Sequence, residues 1–292
     1  MKVYLQGGLG NQICQVIAGH SIASSKGEKL EVSSKFRNSS GTYRPESVIS
    51  LNFPFEFTWH EESVGRLSYQ FWRAIRVISN FSPWSRRIVG RLSGVHFSNV
   101  IGFDGEIDSI RPKGICGYFQ STIYWNNLDQ NLANEIFTNS SLSPIVEKLI
   151  SEMNNKKVVG VHIRRGDYAT EKNTIGQLSL DYFNNCISEL TQKSDEIWIV
   201  TDSPEEVSRY FQQSSFKIRV LTELNNLHPI NSLAILANFA ELILSNSSFS
   251  LCSALIRREA RVIHAPSPWF RNIANSNMAL DPTWISHVSS WD

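Results

Sequence analysis

Val161-His162-Ile163-Arg164-Arg165-Gly166-Asp167-Tyr168 places two guanidiniums, an imidazole and a carboxylate behind an apolar run. Residues 157–163 are β-branched in the manner of a strand from the middle of a parallel sheet. Such a strand delivers Arg164 and Arg165 to a loop at the carboxyl edge of the sheet, where open α/β folds bind their ligands. Arginine pairs bidentately with phosphate better than any other side chain. Two adjacent arginines repel each other unless an anion or a carboxylate lies between them, and Asp167 is the nearest carboxylate. The stretch therefore reads as a site for an anionic ligand; in isolation it would also suit a surface loop in which Asp167 pairs one arginine.

Outward from this strand, the second half of the chain alternates: a helix over 180–192, a strand over 197–200, a helix over 204–211 and a strand over 219–221. The pattern predicts a parallel sheet covered by helices. Asp202 or Ser203, at the carboxyl end of a strand, is placed to cap the following helix. An apolar helix over 232–242 leads through Ile243-Leu244 into Ser245-Asn246-Ser247-Ser248-Phe249-Ser250, with another helix over 251–257. Hydroxyls and an amide between a strand and a helix offer donors to a phosphate, or form a capping cluster. Residues 261–266 read as the last strand. Upstream, Ser143-Pro144 opens a helix to about 153, and Asn154-Asn155-Lys156 marks a domain boundary.

The N-terminus reads as strand, glycine turn and helix: Val3-Tyr4-Leu5, then Gly7-Gly8-Leu9-Gly10-Asn11-Gln12, then Ile13, Val16 and Ile17. It lacks the third glycine of a dinucleotide fingerprint and the lysine of a P-loop. Residues 29–32 suit a second strand, and 33–62 read as loops. From Ser63 to Phe103 there is no acidic residue, yet Arg66, Arg73, Arg76, Arg86, Arg87 and Arg91 are interleaved with Tyr69, Phe71, Trp72, Phe81 and Trp84. The segment is a candidate for peripheral contact with an anionic membrane. Its alternative is a helical hairpin with aromatics in the core and arginines in solvent.

With 28 Lys+Arg against 27 Asp+Glu the net charge of +1 gives no global attraction for nucleic acid, so an anionic ligand must meet a local cluster. The 292 residues suffice for two domains. Cys14, Cys116, Cys186 and Cys252 lie far apart without a Cys-x-x-Cys pair, which suits reduced, buried thiols rather than zinc or disulfides. The strand beginning at Val3 leaves no room for a leader, and no apolar stretch is long enough to span a bilayer, so a cytoplasmic protein is expected, with the inner membrane face as an alternative.

His162-x-Arg164-Arg165-x-Asp167 resembles the motif shared by α-1,2-, α-1,6- and protein O-fucosyltransferases, and Tyr168 matches the α-1,2 branch, glycosyltransferase family 11. The Gly-Gly-Leu-Gly-Asn-Gln start, Gly117-Tyr118-Phe119-Gln120-Ser121, Asn246-Ser247-Ser248-Phe249-Ser250 and the turn after His264 are similar to that family, in the same order. The resemblance implies a GT-B architecture of two Rossmann-like domains facing across a cleft. These are an acceptor-side domain over 1–154 and a nucleotide-sugar domain over 155–270, with a tail over 271–292 packing back on the first. It implies an inverting, metal-independent transfer from GDP-β-L-fucose with no cofactor, to the 2-hydroxyl of a galactose-like residue in a surface polysaccharide or oligosaccharide, whose carrier could be a lipid.

By that resemblance Arg164, His162 and Asp167 are catalytic. Arg164, Arg165, Asp202, Ser203, Asn246, Ser247, Ser248 and Ser250 hold the donor, joined by Gly8, Gly10, Asn11 and Gln12 from the other domain. Asp167, His162 and Glu171 are candidates for the base. The chain departs from the family in having Asn231-Ser232 where an aspartate would read guanine, and Leu251-Cys252-Ser253-Ala254 after the serine motif. Those departures motivate two alternatives, another nucleotide sugar or a non-catalytic binding protein.

Overall fold

The computed structural model describes residues 1–35, 46–62, 66–138, 142–190, 196–259, 261–273 and 277–292. The chain forms two compact units: Met1–Leu128 with Asn275–Leu280, and Asp129–Ala274 with Asp281–Asp292. Each is built on one parallel sheet.

The first sheet contains β1 (Lys2–Tyr4), β2 (Glu31–Ser33), β3 (Thr58–His60), β4 (Val95–Phe97) and β5 (Gly114–Cys116) in the order β3-β2-β1-β5-β4. The second contains β6 (Val158–Ile163), β7 (Glu196–Thr201), β8 (Ile218–Val220), β9 (Glu241–Ile243), β10 (Val262–Ser267) and β11 (Ile285–Val288), in the order β11-β10-β9-β6-β7-β8. Counted within its unit, this is the 3-2-1-4-5-6 order of dinucleotide-binding sheets. The expectation of two Rossmann-like domains therefore holds. All six residues of β6 and of β7 are buried, as strands covered on both faces must be.

The order reverses between β6 and β9, which pair in parallel with Val161 opposite Ile243. Chain leaving β6 runs toward β7, and chain leaving β9 runs toward β10. Their departing loops diverge and leave a crevice at the carboxyl edge.

The helices over the second sheet are Leu180–Ser188, Pro204–Phe211, Pro229–Asn238 and Ser248–Ile256. The last two are apolar nearly all round because they pack on each other, and the first of them also on the helix Pro144–Asn154. Arg261 clips their ends together, donating to the carbonyls of Leu236, Phe239, Ser253 and Arg257. Gly160, in β6, is fixed by close approach: a Cβ there would meet the Phe239 ring at 2.3 Å.

The sequence reading needs correction in four places. The division falls after Leu128, and the helix Pro144–Asn154 belongs to the second unit. Only part of the tail returns to the first unit, where the Phe103 N–H donates to Asn277 and Thr122 donates to Ala279. Residues 285–288 instead add β11 to the second sheet. The helix expected over 232–242 runs over Pro229–Asn238, because Pro229 at its first position and the His228 cap start it early and Leu242 is taken into β9. Ser203 occupies the N-cap position of Pro204–Phe211 without a side-chain cap bond, and Asp202 is engaged elsewhere. All four cysteines are free and buried, as expected.

Candidate active site

Three loops meet at the carboxyl edge of the second sheet. The first follows β6. Arg164 pairs with Asp202, Nη1 to Oδ2 at 3.0 Å, and its guanidinium lies 6.0 Å from the centre of the Tyr168 ring. Asp202, on the second loop after β7, also accepts the Arg165 N–H at 2.8 Å through Oδ1. Both carboxylate oxygens therefore organise the Arg164-Arg165 turn. Gly166 follows because nothing larger fits: a Cβ there would stand 2.7 Å from Asp202 Oδ2.

The third loop follows β9 and runs into the helix Ser248–Ile256. Ser247 is its N-cap and accepts the Phe249 N–H at 3.2 Å. A helix start carries unsatisfied N–H groups and the positive end of the helix dipole, so this edge of the sheet favours anions. Tyr168 ties the first and third loops, its hydroxyl donating to the Asn246 carbonyl at 3.2 Å.

Behind the loops lies a buried polar cluster. His162 Nδ1 meets the hydroxyls of Ser250 and Ser245, the latter at 3.1 Å, and Ser245 Oγ lies 2.9 Å from Ser250 Oγ. Phe249 covers the imidazole at 5.5 Å between ring centres. Burial, with the Arg164 charge beside it, pushes the His162 pKa down to about 3. The imidazole is therefore neutral and links the end of β6 to the helix that follows β9.

The structure sorts the sequence candidates. Arg164, Asp202, Ser203 and Ser248 stand on the edge loops and are half-buried or exposed, whereas Ser247 is buried at 5% exposure. His162, Ser250 and Asn246 lie beneath, and the Asn246 amide donates to the carbonyls of Ile175 and Gly176. Arg165 does not join Arg164. It is buried, with its guanidinium on Glu206, on the Leu178 carbonyl and on Asp292. That makes it a tie between β6, the helix Pro204–Phe211 and the tail. Asp167 opens a short 3-10 turn, and its side chain lies outside the described residues. Glu171 is exposed and accepts from Thr174 at 2.6 Å. Asn231 is buried, accepting the Ser143 N–H at 2.8 Å and donating to the His228 carbonyl.

Ser245 and Tyr168 were not among the sequence candidates. Ser245 is one hydroxyl in a run of them; Tyr168 stands in the motif, but its partner lies 78 residues away.

In the first unit, Gly8 is the uncapped N-cap of the helix Leu9–Lys26. Gly10 and Asn11 lie in its first turn, and Gln12 donates to the Gly7 carbonyl at 3.0 Å. Gly7 takes a left-handed φ of 75°, which a side chain would strain. The loop after β5 meets this turn, Gln120 Nε2 donating to Asn11 Oδ1 at 2.9 Å. Phe119, buried with φ at 54°, holds the bend before Gln120; a bulky residue in that conformation costs about 1–3 kcal/mol. Among the described residues, His96, Asp104 and Glu106 have the composition of metal ligands. They are tied to one another and to Arg86 and Tyr124.

Residues 114–286 match the family model Glycosyl transferase family 11. An alpha-1,2-colitosyltransferase of Escherichia coli is 22% identical over 290 residues, covering 96% of each chain. Among solved structures, the fucosyltransferase NodZ from Bradyrhizobium is similar at 14% identity and TM-score 0.46, over 88% of this chain and 92% of that one. POFUT1 in complex with GDP-fucose is similar at 11% identity and TM-score 0.45, over 89% and 95%.

Proposed function

The chain belongs to glycosyltransferase family 11 and is a glycosyltransferase, and from that premise we propose that it moves L-fucose from GDP-β-L-fucose to the 2-hydroxyl of a galactose-like residue. The observation that carries the donor half is the meeting of Arg164, Asp202 and the Ser248–Ile256 helix start at the reversal point of the second sheet. An arginine beside a helix N-terminus is suited to a diphosphate.

The acceptor oxygen attacks C1 of the sugar from the face opposite the nucleotide. The C1–O bond to phosphate breaks, its electrons stay on GDP, and the acceptor proton passes to a base. Negative charge grows on the leaving diphosphate, where Arg164 and the N–H of Ser248 at the helix start stabilise it, so no metal is needed. Asp202 holds Arg164 in place before the donor arrives. His162 is a positioning residue: an imidazole with a pKa near 3 is a poor base, and it works by fixing Ser250 and Ser245. The base is Asp167 or Glu171, of which Glu171 is exposed and accepts from Thr174. Acceptor recognition is assigned to the first unit. Asn231 does not replace the missing aspartate, because its amide anchors Ser143 and His228.

A second reading comes from the curated relative, whose name specifies colitose, an L-fucose without its 3-hydroxyl. Both readings use the same diphosphate site and differ only at the sugar. Transfer assays with EDTA present, offering GDP-fucose, GDP-colitose, UDP-galactose and a CMP-sugar with galactosides as acceptors, decide between them. Product from GDP-fucose supports the first reading and product from GDP-colitose the second. Turnover of UDP- or CMP-sugars alone, or of none, removes both.

A further inference from the structure

Two helices of the first unit, Arg66–Ser79 and Pro83–Ser93, carry a face that the proposed transfer does not use. Their inner side is accounted for: Trp72, Ile75 and Val89 pack on Tyr4, Val95, Phe97 and Cys116. Their outer side is not polar, as that of a surface helix ordinarily is. Phe71 is 61% exposed, Ile78 50%, Phe81 80%, Trp84 74% and Leu92 84%. Phe71, Ala74, Ile78 and Phe81 recur at steps of three and four, so they form one stripe that reaches the turn between the helices. Arg73, Arg87 and Arg91 on the same two helices are exposed, and residues 63–103 contain no carboxylate.

We infer that this face docks on an anionic phospholipid surface. Charge selects the occupant. Apolar side chains among guanidiniums, without an acidic group, match a layer that is negative at its headgroups and apolar beneath. A second copy pairing by a two-fold axis would set arginine against arginine. Phe81 and Trp84, next to the turn, have the amphipathic or apolar rings that settle at the headgroup level. No described helix is long and apolar enough to cross a membrane, so the contact is peripheral.

The test is flotation of the full chain with vesicles of phosphatidylcholine alone and of phosphatidylcholine with phosphatidylglycerol. The chain is expected to float only with the mixed vesicles and to be released by salt. Arg87→Gln with Arg91→Gln lowers the partition coefficient by roughly 25-fold, at about fivefold per arginine. Phe81→Ser with Trp84→Ser lowers it by at least about tenfold. These side chains are exposed, so neither pair changes the thermal unfolding midpoint. Brominated lipid quenches the wild-type fluorescence more than that of Trp84→Phe. Failure to float with either vesicle, or equal flotation of wild type and both double variants, overturns the inference. So does a concentration-dependent dimer that the same variants abolish.

Discussion

Arg164 and Arg165 are neighbours in the chain with different work. Arg164 stands with Asp202 at the sheet edge, whereas Arg165 is buried among Glu206, Leu178 and Asp292. Substituting each to alanine separates the roles. Arg164→Ala lowers kcat by about 10²–10³-fold, the scale of losing one preorganised donor at a developing charge, with the unfolding midpoint held. Arg165→Ala lowers stability by about 2 kcal/mol, a value kept small because Glu206 and Asp292 are partly in solvent. Steady-state rates and urea melts on both variants check this. His162 gives a pH signature. Its ordinary pKa is 6.5 and its folded value about 3, so the unfolded chain takes up a proton that the folded chain refuses. Its contribution is complete above pH 6.5 and declines as pH falls toward 3, by up to about 1.4 kcal/mol per pH unit. His162→Gln is expected to make the acid limb of a stability–pH profile shallower by about one proton; an unchanged slope would mean the imidazole is charged in the folded protein.

At the level of elements, the turn after β6 depends on the absence of a side chain at Gly166. Gly166→Ala pushes against Asp202, and Asp202 holds both Arg164 and the Arg165 N–H. We expect nucleotide affinity to drop about tenfold, the scale of one weakened charged hydrogen bond, and isothermal titration measures it directly. The elements themselves were largely legible in the sequence. The helix Pro204–Phe211 and the strand Val158–Ile163 were readable from proline and from a β-branched run. The strand Ile285–Val288 was not, because an edge strand with exposed Ile285 and Val288 shows no buried pattern. Nor was the use of each motif residue legible. Whether Ser250 faces a ligand or His162 depends on the helix start and on β6, which lie 88 residues apart. The partners of Arg165 are still less visible, since nothing local to it announces Glu206 or Asp292.

Over the whole molecule, two parallel sheets each bring their loops together where strand order reverses, and the second brings an arginine and a helix start to that point. The outer face of the first unit shows the limit of composition as a guide. The acid-free segment did form a helical hairpin, yet Phe71, Phe81 and Trp84 lie in solvent while Trp72 packs inward. Identity of the nucleotide is the property on which the account of the molecule rests, and it is testable without knowing the acceptor. A thermal-shift titration with GDP, UDP, CMP and ADP, with EDTA present, applied to wild type and to Arg164→Ala, measures it. Saturation at one hundred times Kd adds about 2.7 kcal/mol of stability to the unit that binds. GDP alone is expected to raise Tm by several degrees in the wild type, with Arg164→Ala losing most of that rise; an undiminished GDP response in Arg164→Ala, or a wild-type preference for another nucleotide, would overturn the assignment of Arg164 to the donor diphosphate.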